Sequence, residues 1–190
     1  MKRSQRAALL TLLNREMLNK GSWCGETHIQ KATFFLQDLL GVNAGFEFIL
    51  YRHGPFSFDL RDELSSMQAD NLLEIAVRRE GYGPAYFPST FSQTFLQRFP
   101  KTIARYSRQI NFIANELGDK GVAELERLAT AYFIANREGI RLTTERAQRL
   151  VKLKPHIALS EARASCEEVD VLIEKSLPLR VKEESNEASE

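Results

Sequence analysis

Apolar and polar residues alternate along residues 46–51, and this period of two predicts a β-strand. Phe46, Phe48 and Leu50 would form one face, which we expect to be buried. The other face carries Ile49 and Tyr51 and is partly apolar, so we expect another part of the chain to cover it as well.

A turn and a helix are predicted directly after this strand. Gly54 tolerates a positive φ and Pro55 fixes φ at about −65°, so this pair is expected to turn the chain. Ser57 can accept a hydrogen bond from a backbone N–H two or three residues further on, which predicts a helix cap. The apolar stripe of the capped helix, at positions i, i+4 and i+7, would be Leu60, Leu64 and Met67.

A β-hairpin is predicted next. Residues 72–77 and 85–87 are short apolar runs, and a loop is expected over residues 79–84. Helices followed by such a hairpin are typical of a winged helix. Residues 1–89 are therefore expected to form a winged-helix-like module.

Helical periodicity governs the rest of the chain. Ser4 and Thr27 are the predicted caps of two helices that precede the central strand and end near Asn19 and Leu40. Beyond residue 90 the apolar period stays at about 3.6. The predicted starts of the helices there are Pro100, Asp119, Thr143 or Thr144, and Ser160.

The fold class predicted from these patterns is mainly α with a small β component. Residues 90–177 would form a helical C-terminal region, either separate from the winged-helix-like module or integrated with it in one domain. Residues 178–190 are polar and lack periodicity, which predicts a disordered tail.

The composition limits the classes of function. The 190 residues include 26 basic and 25 acidic side chains, which excludes a grossly basic nucleic-acid coat but leaves room for a local basic face. Cys24 and Cys166 are too few for a disulfide framework, and with no signal peptide they indicate a reduced, cytoplasmic location. No apolar segment approaches the roughly 20 residues of a membrane span, so no membrane partner is expected.

The sequence predicts neither a catalytic site nor a cofactor. Ser57, His53 and Asp59 are close in sequence, but a triad is defined by geometry, and a capping role already explains Ser57. Cys24 and His28 lack the further ligands that a metal site needs. We therefore expect a protein that is not an enzyme and binds no metal or cofactor.

Two groups of basic residues are candidates for binding an acidic partner. The spacing of the first group would place it along about 15 Å of one helix, although Pro100 can interrupt that helix. Arg78 and Arg79 form the second group, at the predicted hairpin tip. Both groups have a plain alternative as solvated surface. The first group is Arg98, Lys101, Arg105 and Arg108.

The predicted helix after Ser57 argues against conventional reading of DNA. It would present Asp59, Asp62 and Glu63 against Arg61 alone. A helix with this net negative charge loses the phosphate attraction that supplies most non-specific affinity for DNA. Protein contact fits such a helix better.

Several short motifs resemble a known family. Gly25-Glu26-Thr27-His28-Ile29-Gln30-Lys31 with Phe34-Phe35-Leu36, and Tyr51-Arg52-His53-Gly54-Pro55-Phe56-Ser57 with Leu60 and Leu64, are similar to motifs of the Panacea (SocA-like) antitoxin-associated domains and of the YwgA-like bacterial proteins. Leu128-Ala129-Thr130-Ala131 and Lys154-Pro155-His156 resemble the YwgA-like branch. In Panacea members the domain neutralises a toxin or serves as a proteolytic adaptor, so the resemblance implies binding of a protein partner.

The favoured hypothesis is thus a bacterial protein-interaction module, antitoxin-like or adaptor-like, whose structural family motif includes Tyr51, Gly54, Pro55, Ser57 and Leu60. The alternative is a winged-helix DNA-binding regulator. It would use Arg78, Arg79 and the basic helix. The sequence leaves the partner and the oligomeric state open.

Overall fold

The structure is a computed structural model that describes residues 1–79 and 83–181, and it confirms the predicted fold class. The chain is mainly helical, with two small antiparallel sheets in the described part. Residues 35–39 continue the second helix as a π-helical segment. The helices are α1 (Arg3–Asn19), α2 (Glu26–Phe34), α3 (Phe58–Ala69), α4 (Ser92–Leu96), α5 (Pro100–Leu117), α6 (Val122–Arg137), α7 (Thr143–Leu153) and α8 (Leu159–Ser176).

Each sheet is a hairpin of two short strands. β1 (Ile49–Tyr51) pairs with β2 (Gly54–Phe56), and β3 (Leu73–Ala76) pairs with β4 (Ala85–Pro88). An isolated bridge between Gly25 and Ala85 ties the start of α2 to the second hairpin. The order α3, β3, β4 is the one predicted from the sequence, and residues 80–82 of the predicted loop lie outside the described residues.

The first hairpin corrects the prediction for residues 46–57. The strand begins only at Ile49, and Gly54-Pro55 lies in β2, so the turn is formed by Arg52-His53 instead. Phe46 and Phe48 are buried as the alternation predicted. The ladder ends at Phe56 because Ser57 caps α3 and the chain enters that helix.

The backbone of Phe46 is held by a side chain and not by a strand. The Oε1 of Gln37 accepts from the N–H of Phe46 at 3.0 Å, and its Nε2 donates to the carbonyl of Phe46 at 2.7 Å. Both polar groups of that residue are therefore satisfied without a β-ladder. Alternating burial is compatible both with a paired β-strand and with an extended segment whose backbone is held by a side chain, so the sequence pattern did not distinguish them.

Helix caps were predicted with mixed success. Ser57 caps α3, since its Oγ accepts from the N–H of Leu60 at 3.2 Å, and the predicted stripe of α3 is buried. Pro100 begins α5 as predicted. Thr143 begins α7 as predicted. The predicted caps Ser4, Thr27, Asp119 and Ser160 are each wrong by two residues. The residues at these N-cap positions are Lys2 for α1, Gly25 for α2, Gly121 for α6 and Ala158 for α8.

The buried apolar side chains of the described residues form one cluster that runs from α1 to α8. α1 packs along α5, while α6, α7 and α8 pack on one another. The chain stays packed through Val181, whose N–H donates to the carbonyl of Leu40 at 2.8 Å. Residues 178–181 of the predicted disordered tail are therefore part of the packed fold, and residues 182–190 of that prediction lie outside the described residues. Among the described helices, none combines the length and apolar character that crossing a bilayer requires.

Candidate functional site

Gln30 on α2 holds the chain at the junction of β2 and α3. Its Oε1 accepts from the backbone N–H of Ser57 at 2.9 Å, and its Nε2 donates to the carbonyl of Ser57 at 2.8 Å. Both residues are fully buried. Because a buried backbone group left without a partner is costly, this amide fixes the junction against α2.

Two buried lysines bind carbonyl groups of the same hairpin. The Nζ of Lys31 donates to the carbonyl of Pro55 at 2.9 Å, and the Nζ of Lys154 donates to the carbonyl of Arg52 at 2.9 Å. Burial lowers the pKa of Lys31 to about 8, and the charge of Glu126 opposes that shift. Lys31 is only 1% exposed. Burying its ammonium costs free energy, which the hydrogen bond to the hairpin partly offsets.

Gly54 lets the hairpin lie directly on α6. Its φ is +86°, and a Cβ placed there would be 2.7 Å from the Oγ1 of Thr130 and 3.4 Å from the carbonyl of Glu126. Only glycine combines this backbone conformation with so close an approach. The fit to α6 is therefore specific to a glycine at this position.

The segments that carry the family resemblance thus meet at one place in the fold. Gln30 and Lys31 belong to its first motif, Gly54, Pro55 and Ser57 to its second, and Thr130 and Lys154 to its later ones. They contact one another around the β1–β2 hairpin. The sequence contained these residues as separate motifs, but nothing in their spacing indicated that the lysines bind backbone carbonyls.

The opposite face of this hairpin is exposed. The register pairs Ile49 with Phe56, so Ile49, Tyr51 and Phe56 lie on one face, and Phe58 follows at the start of α3. Ile49, Tyr51 and Phe58 are 43%, 47% and 41% exposed. The expectation that another part of the chain covers this face is wrong for Ile49 and Tyr51, which stay exposed to solvent among the described residues.

The exposed aromatic rings form a contiguous surface. The ring centroids of Phe56 and Phe58 are 5.1 Å apart, and Tyr51 lies 5.8 Å from Phe56 and 5.6 Å from Phe58. The guanidinium of Arg61 lies 5.0 Å from the centroid of Phe58 and 5.7 Å from that of Phe56. We call Ile49, Tyr51, Phe56, Phe58 and Arg61 the aromatic patch.

Arg61 forms no ion pair with any described carboxylate. It is exposed and stacked on rings that are themselves accessible. The aromatic patch therefore combines an apolar surface with a positive charge that is available to a carboxylate.

The basic residues predicted as a site are distributed over several elements. Arg98 lies in the turn between α4 and α5 with its guanidinium 5.8 Å from the ring of Phe91, so it is not part of the α5 stripe. Arg78 stacks on Trp23 and Phe87, at 5.4 Å from each ring centroid. Arg79 follows Arg78 in the connection from β3 to β4 and is exposed. The remaining predicted residues, exposed along α5, are Lys101, Arg105 and Arg108.

The side chains considered for nucleophilic catalysis are not brought together. His53 is 72% exposed, and its Nδ1 lies 3.0 Å from the Oε1 of Glu126. Ser57 is buried and its Oγ is engaged as a helix cap. Cys24 and Cys166 are buried free thiols, and burial raises the pKa of each to about 11. The described residues contain no cluster of three or more side chains suited to a metal ion.

Comparison with protein-family models and with curated proteins gave no match to this chain. The family resemblance stays a prediction from the motifs.

Proposed function

We propose that this protein is an interaction module that binds a protein partner through the aromatic patch. The observation that carries the proposal is the exposure of contiguous rings on a hairpin whose other side is held by buried polar side chains. Contiguous exposed apolar surface is a mark of interaction sites, whereas single exposed apolar residues are normal on protein surfaces.

The composition of the aromatic patch favours a protein as its ligand. Tyr, Phe and Arg are enriched at protein–protein interfaces, and Tyr and Arg are frequent among the residues that dominate binding energy. Arg61 forms no ion pair with a carboxylate of the described residues. The partner is therefore expected to present an apolar surface bordered by Asp or Glu, so that a carboxylate meets Arg61 at the edge of the contact.

The buried support of the hairpin favours tight binding. Gln30, Lys31 and Lys154 fix backbone groups of residues 52–57, and Gly54 seats the turn on α6. A surface that is already ordered loses less conformational entropy on association than a flexible one. The buried ammonium groups of Lys31 and Lys154 thus support an ordered surface at the aromatic patch.

The family resemblance narrows the class of partner within this proposal. It supports a bacterial toxin or the target of a proteolytic adaptor as the bound protein. The proposed role includes no catalytic step and no cofactor, and it places the protein in the cytoplasm.

Photo-crosslinking in the native host tests this proposal. A photoreactive phenylalanine analogue at position 51, within the aromatic patch, should give one discrete adduct heavier than the chain alone. The same analogue at position 171 on α8, where Val171 is 50% exposed, is the matched control and should not give that adduct.

A charge-reversal variant tests the proposed contact of Arg61 with a carboxylate of the partner. Arg61→Glu should reduce the yield of the adduct at position 51 because it would oppose a carboxylate on the partner. Identical adducts from positions 51 and 171 would overturn the proposal. Adducts with only the mass of two copies would also overturn it, since they would identify the patch as a self-association surface.

A further inference from the structure

A cavity of about 310 Å³ lies at the start of α5, against the N-terminal part of α1 and the loop that contains Asn43. Its volume is at the lower end of the range for small-molecule sites in proteins. Its lining carries side chains that can donate hydrogen bonds and, among the described residues, no carboxylate. These side chains belong to Gln5, Asn43, Lys101, Thr102, Arg105 and Tyr106.

Thr102 brings a buried hydroxyl to the wall of this cavity. The residue is only 8% exposed, and its Oγ1 forms no hydrogen bond with the described residues. That oxygen is open to the cavity, unlike the hydroxyl oxygens of Thr11 and Thr33, which are sealed in the core without a partner. A hydroxyl in this position can donate one hydrogen bond to a ligand in the cavity.

The first turn of α5 adds backbone donors. The N–H of Ile103 donates to the carbonyl of Phe99 at 3.0 Å, whereas the N–H groups of Lys101 and Thr102 precede the first intrahelical bond and have no acceptor within the helix. This turn contains no acidic residue, and no side chain caps it. The partial positive charge at the N-terminus of this 18-residue helix is therefore available to an anion.

Two side chains add full positive charge at the same end of α5. Lys101 and Arg105 are one helical turn apart, and both line the cavity. Lys101 forms no ion pair with any described residue. The guanidinium of Arg105 lies 5.5 Å from the ring centroid of Tyr106, a contact that keeps it beside the cavity. Such cations, together with the N–H groups of a helix N-terminus, are what proteins use to bind phosphate.

The other basic residues predicted as a site lie away from this cavity. Arg98 stacks on Phe91, Arg78 stacks on Trp23, and Arg108 is not part of the lining. The positive charge is thus concentrated at one concave site. A nucleic-acid backbone would instead need cations spread along a continuous surface, so this arrangement favours a small ligand.

We propose that this cavity binds the phosphate group of a small phosphomonoester. The backbone of Lys101 and both the backbone and the hydroxyl of Thr102 donate to the phosphate oxygens. The side chains of Lys101 and Arg105 balance its charge, which is about −1.5 to −2 at pH 7. The amides of Gln5 and Asn43 face the polar body of the ligand. The cavity shares no residue with the aromatic patch, so this proposal goes beyond the protein-binding role and is tested separately.

Heteronuclear NMR titration of the full chain tests the proposal. Glucose 6-phosphate should shift the amide resonances of Lys101 and Thr102 in a saturable way, and glucose at the same concentration should not. Inorganic phosphate should shift the same resonances, because it carries the recognised group without the body. Absence of saturation by both glucose 6-phosphate and inorganic phosphate would overturn the proposal, and so would equal shifts with glucose.

Variants of the lining residues locate the binding event. Lys101→Gln should weaken glucose 6-phosphate at least about tenfold, as expected when a charged hydrogen-bond donor is lost. Thr102→Val, which removes the hydroxyl, should weaken it about threefold to tenfold, and Thr102→Ser should retain the parent affinity. Near-ultraviolet circular dichroism and thermal melting verify that each variant is folded. Unchanged affinity in folded Lys101→Gln would overturn the proposal.

Arg108→Gln is the matched control, because Arg108 is exposed on the same helix but outside the cavity. It should bind glucose 6-phosphate like the parent chain at physiological ionic strength, where salt screens charges at that separation. A short DNA duplex should leave the resonances of Lys101 and Thr102 unchanged under the same conditions. Duplex binding that Lys101→Gln and Arg108→Gln weaken equally would identify a nucleic-acid surface and contradict the proposal.

Discussion

Individual buried polar side chains explain why the β1–β2 hairpin is held in one position. Gln30 satisfies both backbone groups of Ser57, and Lys31 satisfies the carbonyl of Pro55. The hairpin is too short to be stable alone, since two-stranded sheets are marginal in water. Its position thus depends on side chains from distant parts of the sequence.

Gln30→Ala should destabilise the protein by about 1–3 kcal/mol, because it leaves the N–H of Ser57 buried without a partner. The carbonyl of Ser57 loses one of its two bonds and still accepts from the N–H of Arg61 at 3.2 Å. Chemical denaturation measures this change in the free energy of unfolding. Gln93→Ala is the matched control. Gln93 is exposed and its side chain is bonded only to Arg15 among the described contacts, so loss of that side chain should cost less than about 0.5 kcal/mol. Similar costs for the two variants would argue against the structural role given to Gln30.

Gly54→Ala should be more harmful than the same change at another glycine with positive φ. Gly21 has φ +89° with no atom within 4 Å of an added Cβ, whereas at Gly54 the Cβ would meet Thr130 at 2.7 Å. Gly21→Ala is expected to cost about 1 kcal/mol from backbone strain alone, and Gly54→Ala roughly 3 kcal/mol or more. Thermal and chemical denaturation of both variants provide the comparison. Equal costs would show that the hairpin does not lie as close to α6 as described.

His28 should make stability depend on pH in the acidic range. Burial lowers the pKa of His28 from 6.5 to about 4, and the backbone of Lys120 opposes that shift. Between these values the unfolded chain binds more protons than the native one, so stability falls as pH falls from about 6.5 to about 4. The loss attributable to this group is roughly 3 kcal/mol.

Denaturation at several pH values checks this expectation. His28→Gln should flatten the pH dependence between about 4 and 6.5. His156→Gln, at an exposed histidine, is the control variant. A slope that survives in His28→Gln would assign the effect to other groups.

At the scale of elements, the sequence predicted the order of helices and hairpins better than their ends. The stripes of α3 and α5 are regular, so their positions followed from apolar spacing. Residues 46–48 do not pair in the ladder because β2 ends where Ser57 caps α3, and because Gln37 binds the backbone of Phe46. The side chain of Gln37 makes the backbone hydrogen bonds that a neighbouring strand would otherwise make. The spacing of apolar residues does not reveal such a contact.

The predicted caps also show that apolar spacing and residue type do not fix the residue at which a helix begins. Ser57 and Ser160 are both serines at the start of an apolar stripe. Only Ser57 accepts from a helix N–H, while α8 begins at Leu159 and the N–H of Ala158 donates to Glu161 at 3.3 Å. Where a helix begins depends on how the preceding segment enters the fold, and local residue preferences leave that choice open.

Ser57→Ala should therefore destabilise the protein by about 1 kcal/mol or more, because the N–H of Leu60 loses its acceptor. Ser160→Ala, at the cap that was wrongly predicted, should change the free energy of unfolding by less than about 0.5 kcal/mol. Urea denaturation measures both. A larger effect at Ser160 than at Ser57 would contradict the capping pattern.

At the scale of the whole molecule, the fold places its buried contacts and its exposed aromatic surface back to back. Segments around residues 30, 54, 130 and 154 meet behind the hairpin, and the aromatic patch lies in front of it. The sequence alone identified the segments, through their resemblance to a family, but did not indicate that they meet. It also missed the patch, because alternation shows which residues share a face and not whether that face is covered.

The most direct test of the account measures how the patch contributes to binding of the partner that crosslinking identifies. Isothermal titration calorimetry would compare the parent chain with Phe58→Ala and with Ile75→Ala. Ile75 is 51% exposed on β3, outside the patch, and is the control. We expect Phe58→Ala to weaken binding about 30-fold or more, as for a dominant interface residue, and Ile75→Ala to change it less than about threefold. Unchanged affinity in folded Phe58→Ala would contradict the central claim that the aromatic patch binds the partner.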